Sequence, residues 1–366
     1  MSDSIGTPPT ITCIDAKGSP EEIGRTIGHA VADSFRQAVM NNPEFIGIAD
    51  AFLGSDYLKA LNDAARQAYP QYMIELDAMA RAIGVDQATL FLWNCRGDLR
   101  FPPETAGARL KQFHDGCTTI LSPGDFDKGQ PAIIAHNEDG SADFMAHRYW
   151  LRAQPDDAPA FDSYLYPGML PGHSVAINDA GLVQTINNVR ADDLKPGIPR
   201  HIICRAVLGA TSIPEAISHL RRTDRASGFH HSIGMMGSAA PLSIEAPASA
   251  SVIRSADAPM AHANHLLDPY FEKLPQTVSA SSAYRQQTVD AYLHAGGDTD
   301  TPEAVLFQHG GTGEQGVLRR PGDGGDDYGC TLVTAVFRIH AERVAWTVHA
   351  DPDERHALNG SVEQEN

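Results

Sequence analysis

What this chain has little of narrows its function before any motif is considered. Positive charge is scarce: 28 lysines and arginines stand against 46 acidic residues, a formal net charge of −18 over 366 residues. No Lys/Arg cluster interrupts that field, so nucleic acids and anionic membranes are disfavoured as partners, and cationic or neutral small molecules are favoured. Cysteines are few and odd in number (13, 95, 117, 204 and 330), with no Cys-x-x-Cys pair. Reduced thiols, rather than a disulfide framework, are expected. No stretch approaches the roughly 18 apolar residues of a spanning helix. Met1-Ser2-Asp3-Ser4 lacks the basic residues and apolar run of a signal peptide. A soluble, cytoplasmic protein is the expectation. Repeats and low-complexity tracts are absent as well.

What is present is ordinary for a soluble enzyme: 42% hydrophobic and 20% charged residues, long enough for one large core or two closely packed layers. The first 116 residues read as mainly helical after a short strand at Thr10–Ile14. Ser19 is a natural N-cap, Pro20 fits a first turn, and Ile23, Ile27, Ala30, Val31 and Phe35 keep a helical period. Residues 56–84, punctuated by Pro70 and closed by Gly84, and residues 86–95 repeat the pattern. From Cys117 the texture turns to short β-like runs: 117–122, 131–136, 147–153, 173–178, 181–186, 229–236, 251–254, 260–263, 330–339 and 343–349. Asn178-Asp179-Ala180-Gly181 is a hairpin turn between two of them. Helical patterns interrupt at 199–222 and 281–294, and the Gly/Asp stretch 322–327 reads as a loop. Strand-rich segments around long helices suggest two packed sheets with helices on both outer faces.

The junction between these textures, His114-Asp115-Gly116-Cys117-Thr118-Thr119, carries the chemistry. A thiol at Cys117 can attack the carbonyl of Gly116, where glycine adds no side chain to hinder it. The amide shifts to a thioester, and water releases a new N-terminus at Cys117. The α-amino group so formed, with an intrinsic pKa of about 8, can then serve as base for its own thiol. Taken alone, Asp-Gly-Cys is weak evidence, and a buried structural cysteine before a strand is the commoner case.

In order along the chain stand Gly18-Ser19-Pro20-Glu21-Glu22-Ile23-Gly24, Gly28-His29, Tyr69-Pro70, Leu92-Trp93-Asn94-Cys95-Arg96, Asp115-Gly116-Cys117-Thr118-Thr119, His136-Asn137-Glu138-Asp139, Asn178-Asp179-Ala180-Gly181-Leu182 and His262-Ala263-Asn264-His265. Through nearly its whole length the sequence thereby resembles the acyl-CoA:6-aminopenicillanic acid acyltransferase family of N-terminal-nucleophile enzymes, which includes β-alanyl-amine hydrolases. The resemblance implies an α+β fold, the αββα four-layer sandwich of the N-terminal-nucleophile hydrolases. It also implies cleavage between Gly116 and Cys117 into an α chain, 1–116, and a β chain, 117–366. It assigns Cys117 as nucleophile, Asp139 as the carboxylate that orients the nucleophile's amine, Asn264 as oxyanion donor, and an arginine at 320 (with 319 one alignment step away) as a site-lining group. His136, Asn187 and His231 are supporting candidates.

The residues themselves leave other readings open. His136–Gly140 is polar enough for a solvated turn, and Asn187 and Asn188 fit turn formation as well as substrate positioning. His262, His265 and Asp268 have a spacing that suits a metal ion but lack a nearby fourth ligand for structural zinc, so no metal is assigned. His136 and Glu138 stand where the penicillin-forming enzymes carry Gln and Trp, and Phe229-His230-His231-Ser232 departs from their acyl pocket. A small N-acylated amine or amino acid is the expected substrate. Coenzyme A has no support from a phosphate-cradling loop or basic pocket, so no cofactor is expected. An acyltransferase using the same thioester is the alternative, a His-rich metal-binding protein the alternative of another class, and homo-oligomerisation stays open.

Overall fold

A computed structural model describes residues 11–99, 116–310, 316–321, 329–351 and 357–364. His114, Asp115 and the expected loop 322–327 lie outside the described residues. Strand β1 (Thr12–Gly18) leads into helices α1 (Pro20–Ser34), α2 (Pro43–Phe52), α3 (Asp56–Ala68), α4 (Pro70–Ile83) and α5 (Gln87–Asn94). Strands β2 (Gly116–Ser122), β3 (Ala132–Ser141), β4 (Tyr149–Pro155), β5 (Phe161–Leu165), β6 (Ala176–Asn178) and β7 (Leu182–Asn188) come after them. Next stand α6 (Arg200–Leu208), α7 (Ile213–Leu220), β8 (Phe229–Met235), β9 (Leu242–Ala246), β10 (Val252–Ser255) and β11 (Met260–His262). Helices α8 (Ala280–His294) and α9 (Glu303–Leu306), then β12 (Gly329–Ile339), β13 (Arg343–His349) and β14 (Ala357–Glu363), complete the described strands and α-helices.

The strands form two sheets. One runs β1-β4-β5-β6-β7-β8-β9-β10, antiparallel except for the parallel β1–β4 pair; the other runs β11-β2-β3-β12-β13-β14, antiparallel throughout. Helices α1, α6 and α7 cover the eight-stranded sheet, with α4 packed on α1, while α8 and α9 cover the six-stranded one. Between the sheets Trp150 meets Trp346 with ring centroids 4.8 Å apart. A side chain at Gly234 of the first sheet would collide with Ile134 and Ile339 of the second. The four layers are therefore helix, sheet, sheet, helix, the αββα order expected from the strand-rich texture.

The local causes are readable. Ser19 and Glu22 close a capping box at the start of α1. Gly24 and Gly28 let α1 lie directly on α4: a β-carbon at Gly24 would sit 2.0 Å from the Glu75 carbonyl oxygen, and one at Gly28 2.6 Å from that of Met79. The expected helix 199–222 is two helices, because Ser212 caps a new start by accepting the Glu215 N–H and Pro214 fits only a first turn. Helices α2 and α9 and strands β5, β9 and β14 add to the elements expected from the sequence. The hairpin at Asn178–Gly181 is present, with Gly181 at φ 81°. The polar run His136–Asp139 is not a turn. It lies inside β3, paired on one side with β2 and on the other with β12.

Candidate active site

Neighbouring strands β2 and β3 of the six-stranded sheet build the site. Their register sets Gly116 opposite Asp139, Cys117 opposite Glu138 and Thr119 opposite His136. Successive side chains point to opposite faces, so the pair carries two different constellations. On the face turned toward the other sheet, the Cys117 Sγ–H donates to Glu138 Oε2 at 3.5 Å, and His136 Nε2 lies 3.0 Å from the same oxygen. Tyr166 donates to Glu138 Oε1 at 2.6 Å. Thr119 Oγ1 lies 2.7 Å from His136 Nδ1 and 2.7 Å from Asn187 Oδ1 on β7, which ties the two sheets together. Asn187 Nδ2 donates to the His262 carbonyl, and His230 and His262 stack with centroids 3.5 Å apart. All of these side chains are buried.

On the face turned toward α8, Asp139 accepts from Thr331 Oγ1 at 2.7 Å and stands 3.6 Å from Arg319 Nη1. A β-bulge between Thr331 and Val333 of β12 lies opposite this point. Arg285, reaching down from α8, binds the Cys117 carbonyl, Thr118 Oγ1 at 2.9 Å and Asn264 Oδ1 at 2.6 Å. A β-carbon on Gly116 would meet Arg319 Nη1 at 3.0 Å, Arg285 Nη2 at 3.1 Å and Asp139 Oδ2 at 3.3 Å. A side chain there would press these three side-chain ends back by a few tenths of an ångström. A cavity of about 520 Å³ adjoins this face, with Met145, Arg319, Arg320, Thr331, His349 and Asp351 in its lining.

The electrostatics follow the two faces. Burial, then the charges of Glu138 and Asp139, push the Cys117 thiol well above its ordinary value, while Arg285 and the Asp139 N–H pull it back. Burial also raises the Asp139 carboxyl, opposed by Arg319, Arg285 and the Thr331 hydroxyl.

The structure brings together Cys117, Asp139, Asn264, His136 and Asn187. The Cys117 nitrogen donates to Asn264 Oδ1 at 2.9 Å, and Asn264 Nδ2 donates to the Asn188 carbonyl. Of the arginine pair, Arg319 is buried beside Asp139, whereas Arg320 is exposed at the cavity. His231 is not brought to Cys117. One residue from His230, it turns to the helix-covered face against Phe229, where burial, then Arg225 and Arg200, lower its pKa to about 3. Sequence reasoning missed Arg285, although its signal is there: Arg285 shares the buried stripe Ser282, Arg285, Gln286, Val289 of α8. Glu138 is readable as the period-two partner of His136, whereas Tyr166 carries no signal.

The spacing that suggested a metal ion does not converge: His262 bonds Glu245, His265 bonds Ser282 and Asp268 bonds Arg254. Among the described residues, the one cluster of donor atoms within 4.8 Å of one another is Cys117, His136 and Glu138. These three meet through one carboxylate oxygen, the arrangement of a proton-sharing chain. A thiol beside a carboxylate, next to a glycyl peptide bond and guanidinium groups, is equipped for acyl transfer.

The site is thus a buried cysteine at the head of an inner strand of an αββα sandwich. Residues 126–353 match the model of the acyl-coenzyme A:6-aminopenicillanic acid acyl-transferase family, and the chain belongs to that family. The match begins past Cys117. A beta-alanyl-dopamine/carcinine hydrolase of Drosophila melanogaster is 27% identical over 212 residues, 55% of this chain and 53% of that protein. The chain thus spans about half the length of the curated relative it matches. The crystal structure of a mutant conjugated bile acid hydrolase from Clostridium perfringens is 10% identical with a TM-score of 0.41, covering 68% of this chain and 93% of that one. That likeness is too low to carry a functional reading. Among the described residues, no helix is long and apolar enough to cross a membrane.

Proposed function

We propose that this protein is a self-processing cysteine amidohydrolase of the N-terminal-nucleophile kind, cutting itself between Gly116 and Cys117 into chains 1–116 and 117–366. The observation that carries the reading is the Gly116-Cys117 bond itself. It heads an inner strand with the thiol on a carboxylate on one face and guanidinium groups around the glycine on the other. In turnover the Cys117 α-amine takes the thiol proton, and sulfur attacks the substrate carbonyl. The C–N bond breaks as the departing amine takes that proton, and water then splits the thioester into acid and free thiol.

Asn264 and Asp139 have separate parts in this scheme. The observed contacts of Asn264 hold the nucleophile's nitrogen and the Asn188 carbonyl, and its amide is the assigned donor to the oxyanion. Asp139, opposite Gly116, orders the new ammonium against Arg319 and Arg285. The substrate is a small N-acylated amine or amino acid. The name of the Drosophila relative puts β-alanyl amides first among those to assay. The family description favours a second reading, acyl transfer to an amine acceptor through the same thioester, and turnover with and without added amine separates the two. Intact mass spectrometry tests the whole: wild type yields two chains with Cys117 leading the second, and Cys117→Ala yields one. Wild-type protein that stays a single chain while hydrolysing amides would overturn the reading.

A further inference from the structure

The self-cleaving reading raises a problem of order in time. Before the first cut, the Cys117 nitrogen is a peptide amide, spent as a donor to Asn264 Oδ1 at 2.9 Å. An amide nitrogen does not accept a proton near neutral pH, so the base that serves the mature enzyme does not exist until the bond it must help to break is broken. Another group has to take the thiol proton.

One group is built into place. Glu138 Oε2 lies 3.5 Å from Cys117 Sγ, and the His136 ring is 3.0 Å behind that oxygen. Tyr166 anchors the second carboxylate oxygen at 2.6 Å, and Thr119 anchors the far side of the imidazole at 2.7 Å. Glu138 and His136 are two apart on one strand and so share the face that Cys117 occupies. Both are buried, away from competing solvent. Asp139 is turned to the opposite face, where Thr331 and Arg319 engage it.

We propose that Glu138, held by His136, is the catalytic base of the maturation cut; this rests on the self-processing reading above. The thiol proton passes to Glu138 Oε2, so the pocket's negative charge moves from carboxylate to sulfur and no second charge is created. The thiolate adds to the Gly116 carbonyl carbon and a C–S bond forms. As the Gly116-Cys117 C–N bond breaks, Glu138 returns the proton to the departing nitrogen, which becomes the Cys117 amine. Water then splits the thioester, leaving the Gly116 carboxyl group and the free thiol. The same pairing explains why the thiol is held protonated at rest: burial and a neighbouring carboxylate both oppose an isolated thiolate. His136 is a positioning residue that fixes the carboxylate without touching the reacting atoms.

The test tracks cleavage of the full chain in cell-free translation, by pulse labelling and denaturing gel. Glu138→Gln keeps the shape and is expected to slow the cut by about 10²-fold or more, the usual worth of a positioned base. Glu138→Ala, checked for cooperative unfolding, should regain cleavage with added formate, which a merely structural glutamate would not allow. Cleavage of Glu138→Gln within about threefold of wild type would overturn the proposal while leaving self-processing intact. Failure of wild type to cleave at all would sink the self-processing reading itself.

Discussion

The two faces of the β2–β3 pair differ more than their shared backbone suggests. The inner face, around Cys117, links a thiol, a carboxylate and an imidazole in one hydrogen-bonded chain closed by hydroxyl groups. The outer face, around Gly116, sets the Asp139 carboxylate among Arg319, Arg285 and Thr331. The bond between residues 116 and 117 passes from one environment to the other. A strand does this with no special backbone geometry, because its side chains alternate. What differs is how each face meets an anion: on one, neighbouring cations oppose the cost of burying it, and on the other it is shared among groups that exchange protons.

The largest expected effect breaks the balanced face. Asp139→Asn leaves two arginines facing a neutral amide, and should cost about 3–5 kcal/mol of stability by urea unfolding. Glu138→Gln should cost clearly less. Equal losses would mean that the two carboxylates sit in equivalent surroundings. In the matured fraction, Asn264→Ala should lower kcat by about 10²–10³-fold, or roughly 2.7–4 kcal/mol. Near-normal turnover would confine Asn264 to holding the nitrogen.

A control away from both faces is Asp98, whose pKa burial raises to about 6 against the pull of Arg200 and Ser227. Because the folded pKa exceeds the unfolded one, its contribution is fully present below about pH 4 and is lost as pH rises toward 6. That amounts to about 2–3 kcal/mol. The stability of Asp98→Asn relative to wild type should therefore climb through that window and then level off. A flat difference would place the carboxyl at its ordinary value. The smallest effect belongs to the inner chain's far end: Thr119→Val takes a partner from both His136 and Asn187, for about 1–3 kcal/mol. A neutral substitution would show that the link between the sheets at this point does not bear on stability.

Much of this is legible in the residues, for physical reasons. Ser19, Pro20 and Gly84 mark helix ends through capping and φ preferences, and they fall where α1 begins and α4 stops. The change of period at Cys117 marks the passage into sheet. Less visible is whatever depends on partners distant in the chain. His136–Asp139 reads as a turn because four polar residues look solvated. They lie buried because β2, β12, Tyr166 and Thr331 hydrogen-bond them and Arg319 stands beside Asp139, and none of those is a sequence neighbour. His231 reads as well as His230 because nothing local fixes which of two adjacent histidines faces inward; the pairing of β8 with β7 fixes it. The split of 199–222 turns on Ser212 and Pro214, a cap easily lost in an otherwise apolar helical period.

The parallel pairing of β1 with β4 has a consequence for the chain's integrity. Segment 11–99 is stitched to the strands and helices beyond residue 116 at separate points: that strand ladder, the buried Glu75–Arg205 ion pair, and Asp98 accepting from Ser227. A break anywhere between 100 and 115 would therefore sever a covalent connection without freeing a piece. The two fragments would migrate as one particle in native buffer and part only in denaturant. Once apart, they would face a bimolecular search to reassemble a sheet that the intact chain closes within itself. In such a nicked molecule the noncovalent ladder, and not the backbone, would hold the two fragments together.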